Sequence, residues 1–189
     1  MNRSKKKVIQ IAAAKLFRDR GYAATSMRDL AEAVHLKASS LYNHISGKEE
    51  ILKDICFETS QRFLEALEEV EKKDISYSEK IRHLIQLHIQ TAMTDVTSIT
   101  AFNDEWRHLS EPHLSTFKTI RKEYENRFRD IIQQGMDNHQ IRNGDPTIIL
   151  YTILSSVRWL YDWYRPDRVL TSSELEDSII NILMSGIAK

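Results

Sequence analysis

Cysteine, glycine, proline and long apolar runs are all scarce in this sequence. The chain of 189 residues contains one cysteine, Cys56, which excludes an internal disulfide and indicates a reducing compartment. With five glycines and three prolines there are few helix breakers, and no segment alternates apolar and polar residues as a strand would. No run approaches the roughly 18 apolar residues of a membrane span, and the N-terminus lacks a signal-peptide core. We therefore expect a cytoplasmic, all-α protein that does not enter a membrane.

The net charge of zero conceals a gradient along the chain. Residues 1–53 contain 11 Lys or Arg against five acidic residues, whereas the other 136 residues contain 16 basic and 22 acidic residues. A basic N-terminal part joined to an acidic remainder is typical of a phosphate-binding domain attached to one that does not bind phosphate. The sequence therefore predicts that the N-terminal part binds nucleic acid.

The segment from Thr25 to Lys48 has the pattern of two very short helices that meet at a tight corner. Thr25 or Ser26 can cap the first helix through a side-chain oxygen, and residues 35–36 make the turn. The second helix begins near Ala38. The apolar positions of the pair are Leu30, Ala31, Val34, Leu41 and Ile45.

The second short helix also has a polar face, made of Ser39, Ser40, Asn43 and His44. Small hydrogen-bonding side chains of this kind suit the major groove, since Asn can pair with adenine and Ser with several bases or with phosphate. The two helices therefore predict a helix-turn-helix. The alternative is that these polar residues merely face solvent on a short packing helix.

Residues on both sides of this motif are expected to contact phosphate. A first helix over residues 4–20 would leave Arg3, Lys5 and Lys6 on a loose N-terminal arm. A capping box of Ser46 and Glu49 would open a long helix, whose free amides and Lys48 make a phosphate clamp. The predicted DNA contacts are Lys5, Thr25, Ser26, Lys37, Ser39, Ser40, Tyr42, Asn43, His44 and Lys48.

The rest of the chain predicts further helices, about nine in all. Capping boxes begin at Ser76 and Thr171, and Pro146 suits a first helical turn. The helix from Thr147 to Tyr164 is apolar around most of its circumference, which indicates that it is buried or lies in an interface. There is no Gly-rich phosphate loop or nucleophile elbow, and Glu105-x-x-His108 is only half of a di-iron motif. We therefore expect no catalytic or metal site.

Five short motifs lie at fixed spacings between Ile11 and Leu52. They are Ile11-Ala12-Ala13-Ala14-Lys15-Leu16-Phe17, Gly21-Tyr22, Thr25-Ser26-Met27-Arg28-Asp29-Leu30-Ala31, Leu41-Tyr42-Asn43-His44-Ile45 and Lys48-Glu49-Glu50-Ile51-Leu52. This run resembles the DNA-binding domain of the TetR family of bacterial transcriptional regulators. Two positions depart from the family: His35 stands where glycine is usual, and Lys37 where Ser or Thr is usual. A corner that requires a positive φ tolerates His less well than Gly. The resemblance implies a DNA-binding domain over residues 1–47 and a ligand-binding and dimerisation domain over residues 48–189.

Such a regulator is expected to act as a homodimer, because one helix-turn-helix contacts too little DNA to be selective. The two C-terminal helices, one over residues 147–164 and one with an aliphatic stripe from Leu175 to Ile187, are the candidate interface. The alternative is that both helices only complete the core of their own chain.

Aromatic residues are frequent in the body, where such residues form core more often than pockets. Arg158 favours a pocket, because a cation within an apolar helix needs a partner, either Asp162, Glu105 or an anionic ligand. The segment Trp163-Tyr164-Arg165-Pro166-Asp167-Arg168 is similar to that of TetR-family regulators of fatty-acid, sterol-ring and phenylacetate catabolism, which respond to acyl-coenzyme A thioesters. The candidate ligand contacts are Phe102, Trp106, Tyr124, Arg158, Trp163, Arg165 and Arg168.

The sequence thus predicts a dimeric repressor that binds a near-palindromic double-stranded operator and needs no cofactor. Its small-molecule effector is expected to be an acyl-coenzyme A thioester or a small apolar ligand. The alternatives are a repressor of an efflux pump that responds to hydrophobic drugs, a helical enzyme, and an adaptor that keeps the fold without binding DNA.

Overall fold

The computed structural model describes residues 2–165 and 171–187 of the chain. None of these residues lies in a strand, so the predicted all-α class is confirmed. The helices, in chain order, are α1 (Asn2–Arg20), α2 (Met27–Ala33), α3 (Ala38–Leu41), α4 (Lys48–Lys72), α5 (Tyr77–Thr94), α6 (Val96–Thr100), α7 (His113–Asp137), α8 (Pro146–Arg158), α9 (Leu160–Trp163) and α10 (Ser172–Ile187). A π-helical turn (Ala101–Glu105) and a 3-10 turn (Trp106–His108) follow α6. The predicted helix over residues 147–164 is divided at Trp159 into α8 and α9.

The chain forms two compact units, and both are discontinuous in sequence. The head unit contains Met1–Gln61 and Thr97–Thr119, and the body unit contains Arg62–Val96 and Ile120–Lys189. Helices α4 and α7 each contribute residues to both units. The division into functional domains at residue 47 stays a prediction.

In the head unit, α2 begins at a capping box formed by Ser26 and Asp29. The Ser26 hydroxyl oxygen accepts from the Asp29 amide at 3.1 Å, and the Ser26 amide donates to the Asp29 carboxylate at 2.7 Å. Thr25, the other candidate cap, is 1% exposed and donates its hydroxyl to the Gly21 carbonyl oxygen at 2.9 Å. Of the two candidates, Ser26 is therefore the cap.

The corner between α2 and α3 adopts the left-handed backbone conformation that was expected. His35 has a φ of 53°, and its imidazole is exposed. Its amide donates to the Glu32 carbonyl oxygen at 3.1 Å, which closes the end of α2. Histidine thus occupies a conformation that glycine adopts at lower cost.

The N-terminal basic residues do not form the predicted arm. Helix α1 already begins at Asn2, and the Lys6 ammonium lies 2.7 Å from the Glu50 carboxylate and 2.8 Å from the Asp54 carboxylate of α4. These hydrogen bonds to Asp54 and Glu50 raise the pKa of Lys6, and the one from Lys6 is the main reason that the pKa of Glu50 falls to about 2. The prediction for Lys6 was wrong because its charge is matched within the head unit.

The residues that open α4 also differ from the prediction. The amide and hydroxyl of Ser46 donate to Glu50, at 2.7 and 2.8 Å, and not to Glu49. Glu49 instead accepts from the amide and hydroxyl of Ser110. Because α4 begins at Lys48, its third residue is Glu50, and the third residue is the one placed to reach back over the helix N-terminus.

The body unit buries one face of each of its longer helices. Leu84 and Ile85 of α5, Phe128 and Ile132 of α7, and Leu150 of α8 are each at most 1% exposed. The predicted capping boxes at Ser76 and Thr171 are both present, and Asp145 caps α8 ahead of Pro146. These caps fix where α5, α8 and α10 start.

We predict that His35→Gly stabilises the protein. Glycine adopts a positive φ without steric cost, so the free energy of unfolding should rise by up to about 1 kcal/mol in urea titrations. Glu32→Gly is the control. At this exposed helical position of α2, glycine should lower the free energy of unfolding by about 1 kcal/mol. A destabilised His35→Gly variant would show that the imidazole makes a stabilising contact.

Candidate nucleic-acid interface

The polar row on and after α3 faces outward from the head unit. Leu41 and Ile45 are 0% and 3% exposed, and they fix which side of this segment is buried. The opposite side is accessible: Ser39 and Asn43 are exposed, and Ser40 and His44 are partly buried. The α-helix itself ends at Leu41, and residues 42–44 continue as turns. The predicted face is therefore available to a DNA duplex.

Several other predicted DNA contacts are also on the surface. Tyr42 is 56% exposed, and Lys5, Ser26 and Lys37 are exposed. Lys37 directly precedes α3, so its ammonium adds positive charge beside the polar row. Thr25 is the exception, because its side chain is buried and bonded to Gly21 rather than placed on the predicted face.

The Lys48 ammonium is engaged within the head unit, and its predicted contact with phosphate stays a prediction. Its ammonium donates to the carbonyl oxygens of Tyr22 at 2.7 Å and Thr25 at 2.9 Å, and it lies 4.3 Å from the centre of the Tyr22 ring. The ammonium thus holds the loop between α1 and α2 against the start of α4. Because carbonyl oxygens already accept hydrogen bonds from this ammonium, its contacts stabilise the head unit.

The loop held by Lys48 also contacts the segment after α6. The Tyr22 ring stacks on His108 at a centroid distance of 5.0 Å and meets Phe17 edge-on at 5.1 Å. Burial is the main reason that the pKa of Tyr22 rises to about 12, so this phenol is neutral at ordinary pH. The support of the helix-turn-helix therefore includes His108, which lies 86 positions after Tyr22 in the chain.

Two of the predicted ligand contacts lie in the head unit. Phe102 and Trp106 pack on the buried Phe117, with centroid distances of 5.4 and 5.7 Å, and the Arg107 guanidinium covers the Trp106 ring. They line the edge of the head-unit core. Their role in ligand binding stays a prediction.

The remaining described candidates, Tyr124, Arg158, Trp163 and Arg165, lie in the body unit. Arg158 is exposed, and its Nε donates to the Tyr161 hydroxyl at 3.1 Å. Tyr161 was not among the partners expected for Arg158, and the role of Arg158 in ligand binding stays a prediction. Arg165 donates to the carbonyl oxygens of Asp162 and Tyr164, at 2.9 and 2.7 Å. Arg168 lies outside the described residues.

Tyr124 forms a contact that the sequence did not reveal. Its hydroxyl lies 2.8 Å from Nε2 of His88. The signal was available, because His88 occupies an apolar position of α5, between Ile85 and Ile89. A histidine on the buried stripe of a helix requires a polar partner.

An open groove of about 460 Å³ lies on the body unit beside α5 and α10. Its lining is mixed, with apolar side chains from α5 and polar ones from both helices and from the end of α9: Leu87, Gln90, Thr91, Met93, Tyr164 and Glu176. Glu176 of α10 accepts from Gln86 and Gln90 of α5, which ties these two helices together.

Over residues 2–165 and 171–187, no three His, Cys, Asp or Glu side chains gather as metal ligands would. No helix in the described part of the chain is both long and apolar enough to cross a membrane.

Comparison with known families identifies the chain. The model of the bacterial regulatory proteins of the tetR family matches residues 10–55, and the tetracyclin repressor-like C-terminal domain matches residues 74–187. The chain belongs to the TetR family. It is therefore a DNA-binding transcriptional regulator.

Individual TetR-family proteins resemble the whole chain. The transcriptional repressor KstR2 of Mycolicibacterium smegmatis is 24% identical over 184 residues, covering 96% of this chain and 89% of the repressor. The fatty acid metabolism regulator protein of Bacillus subtilis is 24% identical, covering 99% of this chain and 98% of the regulator.

Solved structures show the same fold. The KstR2 structure of Mycobacterium tuberculosis superposes with a TM-score of 0.92 at 22% identity, covering 98% of this chain and 95% of that one. The crystal structure of AibR in complex with isovaleryl coenzyme A and operator DNA gives 0.84 at 27% identity, covering 95% and 97%.

We predict that Tyr42 and Lys48 respond differently to truncation. Tyr42→Ala removes an exposed ring, so operator affinity should fall about tenfold, as for one hydrogen bond to a charged phosphate, while stability is unchanged. Lys48→Ala should also lower the free energy of unfolding, by about 2 kcal/mol, because buried carbonyls lose a charged donor. Fluorescence anisotropy with labelled operator and urea titration measure the two effects.

Lys48→Met is the matched control, since it keeps the aliphatic stem and removes the charge. Unchanged stability in both Lys48 variants would contradict the structural role, and unchanged affinity of Tyr42→Ala would remove that ring from the interface.

Proposed function

We propose that this TetR-family protein is a homodimeric repressor that binds a near-palindromic operator and leaves it when an acyl-coenzyme A thioester binds. The observation that carries the DNA-binding part is the outward polar row after the corner, on a unit with an excess of basic residues. Two such rows, spaced about one DNA turn apart by a two-fold axis, would read two half-sites of one operator.

The body unit offers a surface for the second subunit. Large apolar side chains stay exposed on the outer faces of α8 and α10, namely Ile148 (67% exposed), Tyr151 (48%), Trp159 (43%) and Ile182 (72%). The same helices bury Leu150, Ile153 and Ile179 in their own unit. They are thus apolar on two sides, and the outer side is what a two-fold four-helix interface would cover.

The shape of α8 supports this interface. Its outer side forms an open groove of about 540 Å³ lined by Thr147, Ile148, Tyr151, Thr152, Ser155 and Ser156. Small side chains at positions 152, 155 and 156 would let a helix of the partner approach closely, with the larger residues interlocking around it. We infer that α8 and α10 of two chains pack against each other here.

Support for the ligand class comes from AibR, which resembles this chain over nearly all of its length and was crystallised with isovaleryl coenzyme A and operator DNA. The aromatic and arginine residues Phe102, Trp106, Tyr124, Arg158, Trp163, Arg165 and Arg168 remain the proposed contacts. A thioester can release DNA only if it binds better to a conformation with lower operator affinity. A coupling free energy of about 1–3 kcal/mol would weaken operator binding roughly 5- to 150-fold.

We predict that Ile148→Asp and Ile182→Asp each separate the dimer. A carboxylate within the apolar interface would have to lose its hydration, so light scattering should give the 22.1 kDa mass of one chain rather than twice that mass. Operator affinity should fall with it. Val8→Asp, at a 54% exposed apolar position of α1, is the control that should stay dimeric. Dimeric mass in both interface variants would place the interface elsewhere.

We predict that acyl-coenzyme A releases the protein from DNA. Labelled DNA from upstream of its own gene should bind with strong salt dependence and be released by one of isovaleryl, octanoyl or phenylacetyl coenzyme A in an anisotropy titration. Free coenzyme A is the control for the nucleotide part alone. Release only by hydrophobic drugs would favour an efflux-pump repressor, and no DNA binding at any salt concentration would overturn the regulatory function.

A further inference from the structure

Three side chains from three helices meet around one hydrogen bond inside the body unit. His88 of α5 stacks on Phe63 of α4 at a centroid distance of 4.6 Å, and its Nε2 lies 2.8 Å from the hydroxyl of Tyr124 of α7. Phe63 and Tyr124 are 4% and 7% exposed, and Phe128 meets the Tyr124 ring edge-on at 6.3 Å. The His88–Tyr124 pair is thus a polar element in aromatic surroundings.

Both members of the pair are neutral at physiological pH. Burial lowers the pKa of His88 to about 4, and burial raises the pKa of Tyr124 above its usual value. Neither an imidazolium nor a phenolate would survive here, since each would lose its hydration without an opposite charge beside it. The pair therefore offers hydrogen bonds but no charge.

The pair has one proton donor more than its internal hydrogen bond uses. If the Tyr124 hydroxyl donates to Nε2 of His88, the proton of the neutral imidazole is on Nδ1 and remains unused. If Nε2–H donates to the Tyr124 oxygen, the phenolic O–H remains unused. Either tautomer leaves one N–H or O–H donor, because a neutral imidazole and a phenol together carry two protons and the bond consumes one.

No protein group takes up this spare donor within the described residues. There, the side chain of His88 contacts the rings of Phe63 and Tyr124 and forms its hydrogen bond with Tyr124. His88 nevertheless keeps some accessible surface, although Phe63 and Tyr124 beside it are buried. Because His88 keeps this accessible surface, an acceptor from outside the chain, either water or a polar group of a ligand, can reach the spare donor.

We infer that the His88–Tyr124 pair anchors the effector by donating its spare hydrogen bond to the carbonyl oxygen of the acyl thioester. This inference rests on the proposed function. The carbonyl oxygen of a thioester is uncharged, accepts hydrogen bonds and donates none. It therefore matches an uncharged site that has one spare hydrogen-bond donor. The aromatic rings beside the pair, with Phe63 stacked on His88, provide apolar surroundings of the kind that an acyl chain requires.

The same chemistry explains how the site would reject the free acid. A carboxylate would have to leave water for aromatic surroundings with one neutral donor and, among the described residues, no cation in contact with the pair. A thioester carries no charge at this point of the molecule. The pair thus selects the activated form of the acid over its hydrolysed form.

The test compares a thioester with an analogue that lacks only its carbonyl. The most potent of isovaleryl, octanoyl and phenylacetyl coenzyme A is titrated against the protein–operator complex beside the thioether in which CH2 replaces C=O. The wild-type protein should need about five to twenty times more thioether for half-release, because the thioether leaves the donor unpaired. Equal potency would overturn the anchor, and this measurement requires no variant.

The variant arm removes both polar groups together. In the double variant His88→Phe/Tyr124→Phe the ratio of thioether to thioester potency should fall to about one, and replacing both partners with apolar rings leaves no unpaired donor behind. Tyr77→Phe, elsewhere on α5, is the control that should keep the wild-type ratio. Circular dichroism and operator affinity without ligand check that the double variant is folded.

The outcomes separate the two proposals. A folded double variant that keeps the wild-type ratio overturns the anchor and leaves acyl-coenzyme A as the effector. No release of the wild-type protein by any thioester or thioether overturns the proposed effector class, and the anchor with it. A ratio that falls only in the double variant supports both.

Discussion

Burial of Leu41 and Ile45 in the core of the head unit determines which side of the segment after the corner faces solvent. The segment from α3 to Ile45 spans only two turns, so two apolar side chains four residues apart fix its rotation almost completely. Ser39 and Asn43, on the opposite side of the segment, therefore face outward. Capping of α2 by Ser26 and the left-handed corner at His35 set the direction of the segment. The Lys48 ammonium, bound to two carbonyl oxygens, holds the loop that precedes it.

Sequence periodicity was sufficient for the parts of this arrangement that depend on neighbours along one helix. It predicted the buried stripe of α2 and the apolar pair after the corner, while the capping-box motif predicted the caps at Ser76 and Thr171. The positive φ at His35 was expected from the family resemblance, because glycine is usual at that corner. Such local patterns failed for charged side chains whose partners are far away in sequence. Lys6, Lys48 and Glu49 were assigned to DNA or to a helix cap, yet each is engaged by groups that are 23 to 61 positions distant. A long flexible side chain can reach several partners, and local pattern does not rank them.

The body unit shows a second limit of sequence reasoning. An apolar circumference on α8 indicated either core or interface, and the structure has a buried and an exposed apolar side on the same helix. The aromatic residues were harder, because composition alone does not say which rings share a core. Phe102 and Trp106 pack with Phe117 in the head unit, whereas Tyr124 bonds to His88 in the body unit. Family membership supplies the biological role that neither periodicity nor packing contains.

The discontinuity of the head unit has a consequence for anyone who exchanges parts between regulators. Ala101, Leu109 and Phe117 belong to the same buried cluster as Phe17 and Leu41, and Tyr22 stacks on His108. In a chimera joined near residue 47, the N-terminal part of the head-unit core would therefore come from one protein and the rest of that core from the other. The foreign helix-turn-helix would bring its operator specificity but not the residues that its core packs against. A hybrid of two regulators should fold and function only when residues 97–119 come from the same protein as the N-terminal segment.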